Sequence, residues 1–304
     1  MNVYIKSFNR PFYLDRCIRT IKFNVKHYDK IVVLDDGTLS KYMVRLADIH
    51  PDVEFRSSGA DDGKYNLLRE EKFELIRHRY PLASDFWVTE LSRDKNEYFF
   101  LMEDDAWVCR RLDLHQIGLQ LAQDSAVIYK CWWGDETNHY HDVDRTLRAA
   151  NGQTIDFFRL SVSQLSDIYG AWIVAFAIFR KDYWLNNFSG LTRMADEQTQ
   201  LCNAYDFISH NPLVKFAKSH QRVVYQGWAV PGRSTPEYYD KGLRQHLYMD
   251  SLNEAWYTGI LDVSENYPFD FSDEYVELQF SQNLTQAQID IWKSWKKSEV
   301  KYYY

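Results

Sequence analysis

Alternation constrains this chain more than any other feature: four short apolar runs and the helix-periodic stretches between them fill the first hundred residues. Val3 to Lys6 reads as a strand, and Asn9 then caps a helix with Pro11 in its first turn, where a missing N–H costs little. Leu14, Ile18, Ile21 and Val25 supply that helix's apolar stripe. Lys30-Ile31-Val32-Val33-Leu34 has the continuous apolar character of a buried parallel strand. It ends abruptly in Asp35-Asp36-Gly37-Thr38, a turn into a second helix through about Ile49. A third strand is expected over Val53 to Arg56, followed by a polar loop, Ser57 to Gly63. One long helix is predicted for Tyr65 to Arg79 and another for Ala83 to Arg93. The fourth strand, Tyr98 to Met102, runs straight into Glu103-Asp104-Asp105.

Repetition of this kind implies an α/β fold, Rossmann-like, with a mostly parallel sheet flanked by helices. Ligands of such sheets bind beyond the carboxyl ends of the strands. Both acidic turns, Asp35-Asp36 and Glu103-Asp104-Asp105, follow strand carboxyl ends, so the topology brings them to one edge. The second half is more mixed. Ala126 to Trp133, Ala171 to Phe179 and Arg222 to Tyr225 look like strands, and Asp196 to Ser209 like a helix. Pro231 to Lys241 is turn-rich, and Thr285 opens a last amphipathic helix through about Lys297. With no repeat, low-complexity tract or linker, residues 1–240 are expected to form one catalytic domain and 241–304 a helical extension packed on it.

Three consecutive carboxylates repel one another unless they are solvated or meet a cation. Hard divalent ions such as Mg²⁺ or Mn²⁺ take carboxylate oxygens and keep positions open for phosphate. The bland reading is an acidic turn facing water; a second acidic turn converging on it favours the metal. The formal net charge of -7, with no long basic stripe, disfavours nucleic acid as a partner. It also means that a diphosphate would need a local cation. Four scattered cysteines without C-x-x-C spacing fit a reducing compartment, and the N-terminus enters a strand at once, so a cytoplasmic protein is expected. The longest apolar run, Tyr169 to Phe179, is too short to span a bilayer. The last helix carries Ile289, Trp292 and Trp295 near Lys293, Lys296 and Lys297, a pattern of packing on the domain or of peripheral membrane contact. Phosphate-loop, G-x-G-x-x-G and G-x-S-x-G motifs are absent, which counts against kinase, dehydrogenase and α/β-hydrolase chemistry.

Several segments, in order, resemble glycosyltransferases of the GT-A fold. Ser7-Phe8-Asn9-Arg10-Pro11 is similar to their first strand–helix turn, and Leu34-Asp35-Asp36-Gly37-Thr38 to the V-D-D-G-S turn of the large inverting family. Leu101-Met102-Glu103-Asp104-Asp105 resembles their DxD-type motif in the E-D-D form of N-acetylglucosaminyltransferase I. Tyr169-Gly170-Ala171-Trp172, Ala195-Asp196-Glu197-Gln198 and Pro231-Gly232-Arg233-Ser234-Thr235 are similar to later segments of that enzyme.

The resemblance implies a metal-dependent transferase that takes a sugar from a nucleotide sugar, UDP-linked, to a saccharide or lipid-linked glycan acceptor, with inversion. On that reading Asp105 ligates Mn²⁺ or Mg²⁺, Glu103 accepts from the ribose, and Asp104 assists through water or the sugar. Asp35 or Asp36 accepts the base N–H, a contact that does not separate uracil from thymine. Arg10, Lys64 and Ser234 also fall on the nucleotide side. Asp196 or Glu197 is the general base, set against a purely structural role at a helix N-terminus. The alternating His139, His141, Asp142 and Asp144 read first as a polar loop and only second as metal ligands. Two rivals remain: a sugar nucleotidyltransferase, whose glycine-rich basic N-terminal loop is absent, and a catalytically silent glycan-binding module of the same fold.

Overall fold

A computed structural model describes residues 1–131, 142–149, 152–170, 172–191, 196–231 and 236–299. In chain order its strands are β1 Val3–Ser7, β2 Val25–Lys26, β3 Ile31–Asp35, β4 Glu54–Ser57, β5 Tyr98–Glu103, β6 Ala106–Val108, β7 Leu112–Asp113, β8 Ala126–Lys130, β9 Asp142–Arg148, β10 Thr154–Arg159, β11 Ala177–Arg180, β12 Lys215–Ser219 and β13 Val224–Gln226. Among the described residues, one large sheet has the order β4-β3-β1-β5-β11-β8-β12-β10-β9. From β4 to β5 every pairing is parallel. Beyond β5, only β11 and β10 run against the common direction. Strands β1 and β3 are buried at every position, which is why Val, Ile, Leu and Tyr run through them without alternation.

The helix Pro11–Asn24 crosses between β1 and β3 and is buried on more than its predicted stripe: Phe12, Tyr13, Asp15, Arg16 and Cys17 are also covered. Its second face is covered from the far end of the chain. Tyr13 donates its hydroxyl to Asp270 at 2.9 Å, and Arg16 stacks on Trp107 and Phe271. Asn253, on the helix Gln245–Tyr257, donates to the Asn9 carbonyl at 3.0 Å. In the last helix, Gln286–Glu299, Trp292 and Trp295 are buried, and the Trp292 indole donates to the Ala229 carbonyl at 2.9 Å. Those tryptophans therefore pack inward and do not present a membrane face. Among the described residues no helix is long and apolar enough to cross a membrane.

Several boundaries differ from expectation. The long helix over Tyr65 to Arg79 is two, Asp62–Arg69 and Phe73–Arg79. Glu71 enters the left-handed region at φ 58°, and the amides of Glu71 and Lys72 return to the carbonyls of Leu68 and Leu67. This double closure ends a helix and usually uses glycine, so a glutamate there hid it from the sequence reading. Asn9 does not cap the first helix: it sits at φ 50°, and Arg10 is the capping residue, with no side-chain bond to the helix. The β9–β10 hairpin and the helix Leu114–Gln123 add elements to those expected from the sequence.

Candidate active site

Three adjacent strand ends build the site. In register, Ser7 of β1 lies beside Asp35 of β3, and Lys6 lies beside Glu103 of β5. Backbone bonds tie the turns that follow: Asp36 N–H donates to the Ser7 carbonyl and Asp104 N–H to the Lys6 carbonyl, both at 3.0 Å. The two acidic turns thus flank the end of β1, as the topology required.

Within the acidic turn each carboxylate has its own setting. Glu103 meets Lys6 at 2.8 Å, and its side chain is a quarter exposed. Asp104 is fully buried; it accepts from the Ser7 hydroxyl at 3.1 Å and the Phe8 amide at 2.9 Å, and pairs with Arg10 at 2.6 Å. Asp105 pairs with Arg10 through Oδ2, while its Oδ1 is buried with no hydrogen-bond partner among the described residues. The main chain here is equally tight. The Asp105 carbonyl accepts from Gly227 N–H at 2.6 Å, and a Cβ at Gly227 would lie 2.3 Å from the Tyr13 ring. Only glycine fits that approach.

Three formal negative charges therefore face two positive ones. Burial raises the Asp105 pKa to about 7, with Glu103 and Asp104 adding to the rise and Arg10 opposing it. Burial likewise raises Asp104 against the pull of Arg10. For Glu103 burial is the largest influence, but Lys6 and Arg10 outweigh it and its pKa falls. Burial also disfavours the Arg10 cation, yet Asp104, Asp105 and Glu103 hold its pKa above the ordinary value.

The donor chemistry fits a hard divalent ion. An orphaned, buried carboxylate oxygen on Asp105 costs free energy as it stands, and such an ion favours the ionised form that burial resists. Among the described residues no group of three or more His, Cys, Asp or Glu is arranged to hold a metal. A cation here would thus take one or two carboxylates and fill its remaining positions from phosphate and water, the common Mg²⁺ arrangement.

On the neighbouring turn, Asp35 accepts from the amides of Gly37 and Thr38 at 3.1 Å, which stabilises the turn itself. Gly37 has φ 108°, a conformation that side-chain-bearing residues rarely adopt. Burial pushes Asp35 up to about 6, against those hydrogen bonds. Asp36 forms a buried ion pair with Lys64, whose ammonium stands 5.2 Å from the Phe8 ring centroid. Asp35, Asp36 and Lys64 thus cluster beside the acidic turn.

Asp196 and Glu197 belong to a different element. Asp196 is the N-cap of the helix Glu197–His210; it is buried and accepts from Thr199 N–H at 3.2 Å. Glu197 is exposed in the first turn. Ser234, His139, His141, Ala171, Ala195 and the loop 232–235 lie outside the described residues. Asp144 pairs with Arg159 at 3.0 Å and Lys215 at 3.2 Å, so ion pairs account for it without a metal.

Lys6 is the residue that sequence reading missed. It sits 4.7 Å from the Trp87 ring centroid besides pairing with Glu103. The available signal was a lysine inside an otherwise apolar buried strand. Nothing local could have shown that Asp270 fixes Tyr13, and with it the space at Gly227.

No protein-family model matches the chain, and no curated protein matches it. S. aureus TarS residues 1–349 in complex with UDP-GlcNAc is similar in structure, with a TM-score of 0.50 and 10% identity, over 100% of this chain and 81% of that one. Glucosyl-3-phosphoglycerate synthase from Mycobacterium tuberculosis, in complex with Mn²⁺ and UDP-glucose, gives a TM-score of 0.46 at 12% identity, over 86% of this chain and 79% of that one. Identity this low speaks to fold alone. The TarS likeness carries it: the chain has the mixed α/β fold of GT-A glycosyltransferases, with a large, mostly parallel sheet flanked by helices.

Proposed function

We propose that this protein is a metal-dependent glycosyltransferase that draws its sugar from a UDP-linked donor. One observation carries the reading: an acid triplet at the end of β5, with Asp104 and Asp105 buried, leaves an Asp105 oxygen without a partner among the described residues, on a sheet of GT-A type. The TarS structure of that fold contains UDP-GlcNAc, which supports the choice of donor class. Bound Mn²⁺ or Mg²⁺ would supply positive charge to the departing diphosphate. Asp105 would hold it. Glu103, a quarter exposed with one oxygen on Lys6, would accept from the ribose. Asp104 has no exposed surface, so it would act through the turn and Arg10. Asp35 or Asp36 would receive the base N–H, with Lys64 holding Asp36 in place, and Ser234 belongs to the donor loop implied by the resemblance.

For the transfer, a carboxylate takes the acceptor hydroxyl's proton as that oxygen bonds to the anomeric carbon and the bond to the diphosphate breaks. Asp196 is favoured over Glu197 by its match to the inverting relatives, and direct displacement then inverts the anomeric centre. The acceptor is a saccharide or a lipid-linked glycan, met in the cytoplasm with at most peripheral membrane contact. A thermal-shift and hydrolysis screen across nucleotide sugars, with and without Mn²⁺, tests the reading. UDP should stabilise the protein by about 2.7 kcal/mol at a hundredfold excess over Kd, only with metal, and Asp105→Asn should lose the response while staying folded. A chain indifferent to every nucleotide sugar would end the proposal.

A further inference from the structure

Arg10 occupies an odd position for a residue of a metal site. Its backbone is pinned, because its carbonyl accepts from Leu14 at 2.9 Å and Tyr13 at 3.1 Å as the first helical turn closes. Its guanidinium reaches back over the acids, 19% exposed where Asp104 is at 0% and Asp105 at 10%. Asp104 has two further donors, Ser7 and Phe8, and stays anchored without Arg10. Asp105 differs: among the described residues its carboxylate bonds to Arg10 through one oxygen, and its other oxygen is buried and orphaned. Asp105, held less firmly than Asp104, is thus the carboxylate expected to bind metal, and a positive charge already covers it.

Resting on the donor-site reading above, we infer that Arg10 is an exchangeable internal cation, and that a divalent ion loads by displacing its guanidinium from Asp105. A guanidinium and a divalent ion cannot share one buried carboxylate at contact distance without strong repulsion. Once displaced from Asp105, the guanidinium keeps Asp104 but loses one of its two carboxylates, and a second anion would restore what it lost. A diphosphate meets that need through its planar, two-oxygen match to arginine. Metal alone is therefore opposed by Arg10. Metal and nucleotide together are not, since the nucleotide takes up the arginine that the metal releases. Arg10 thereby couples the two ligands, and by reciprocity each tightens the other by the same factor.

The test measures Mn²⁺ binding directly, from the free Mn²⁺ spin-resonance signal, with and without UDP. Wild type should bind Mn²⁺ weakly alone and more tightly with UDP. Arg10→Gln should bind Mn²⁺ alone more tightly, by a factor in the roughly 5–150-fold range of such couplings, and the UDP-dependent gain should shrink to match. Arg10→Lys keeps a cation but cannot bridge both acids, so it should tighten Mn²⁺ binding by less, and it carries the test if the glutamine variant does not fold. Unchanged or weaker Mn²⁺ binding without nucleotide in the folded variants overturns the exchange while leaving the donor site standing. Wild type that binds neither Mn²⁺ nor UDP overturns both.

Discussion

Around the end of β1, four carboxylates are matched by cations: Asp104 and Asp105 share one guanidinium, Glu103 meets Lys6, and Asp36 meets Lys64. On the helix Glu197–His210, one acid caps the helix and its neighbour faces solvent. The first region suits a ligand whose charge must be met at fixed positions. The second holds a carboxylate at a helix start, buried and bonded to the Thr199 amide, where the proposal puts proton transfer. The proposed donor site is thus rooted in the parallel half of the sheet, and the proposed base belongs to a separate helix.

Asp196→Asn gives the largest expected effect on that contrast. Asparagine caps helices about as well as aspartate, so stability should hold while the transfer rate falls by about 10²–10⁴-fold with UDP affinity unchanged. Steady-state transfer assays with UDP titrations would check it; a normal rate would remove the base from this helix. Asp104→Ala should instead act on folding. It strips Arg10 and the Phe8 amide of a buried partner, and should lower unfolding free energy by about 3–5 kcal/mol in denaturant titrations.

Next comes pH. Asp35 moves from 3.8 to about 6 on folding, because burial disfavours its charge. The folded chain therefore holds this proton where the unfolded chain has released it. The resulting stability is fully present below about pH 4 and is lost as pH rises through 6, a change of up to about 3 kcal/mol. Asp35→Asn should flatten that part of the stability profile. If the ionised carboxylate accepts the base, UDP should bind wild type more tightly as pH rises through 6, and this gain should also vanish in the variant. The smallest effect belongs to Glu197→Gln, within about 0.5 kcal/mol in stability for an exposed side chain. A large loss of transfer there, with Asp196→Asn normal, would shift the base by one residue.

How far the sequence could be read depended on range. The strands β1, β3 and β5 were legible because residues buried on both faces leave an uninterrupted apolar run, and their ends were legible because acids stopped those runs. The break at Glu71 was not, since a glutamate in a left-handed cap carries no signal in its identity. The β9–β10 hairpin is not legible because Asp142–Arg148 is largely charged and polar, the pattern of a loop. Arg10 was placed correctly at the strand–helix turn, but which group it meets depends on side-chain packing.

By itself the sequence determined that two acidic turns would converge on one edge of a mostly parallel sheet, because alternating strands and helices leave few topologies and ligand sites fall at strand carboxyl ends. Tertiary structure alone decided that Ser7 and Phe8 anchor Asp104, that Arg10 covers Asp104 and Asp105, and that Asp105 Oδ1 is left without a hydrogen-bond partner among the described residues. It also brought Asp270, Tyr13 and Gly227 together behind the site from opposite ends of the chain. The physical reason is that periodicity reports which face of an element is buried. Charge pairing depends on distances of a few ångströms between residues nearly a hundred positions apart, and those exist only once the chain has closed on itself.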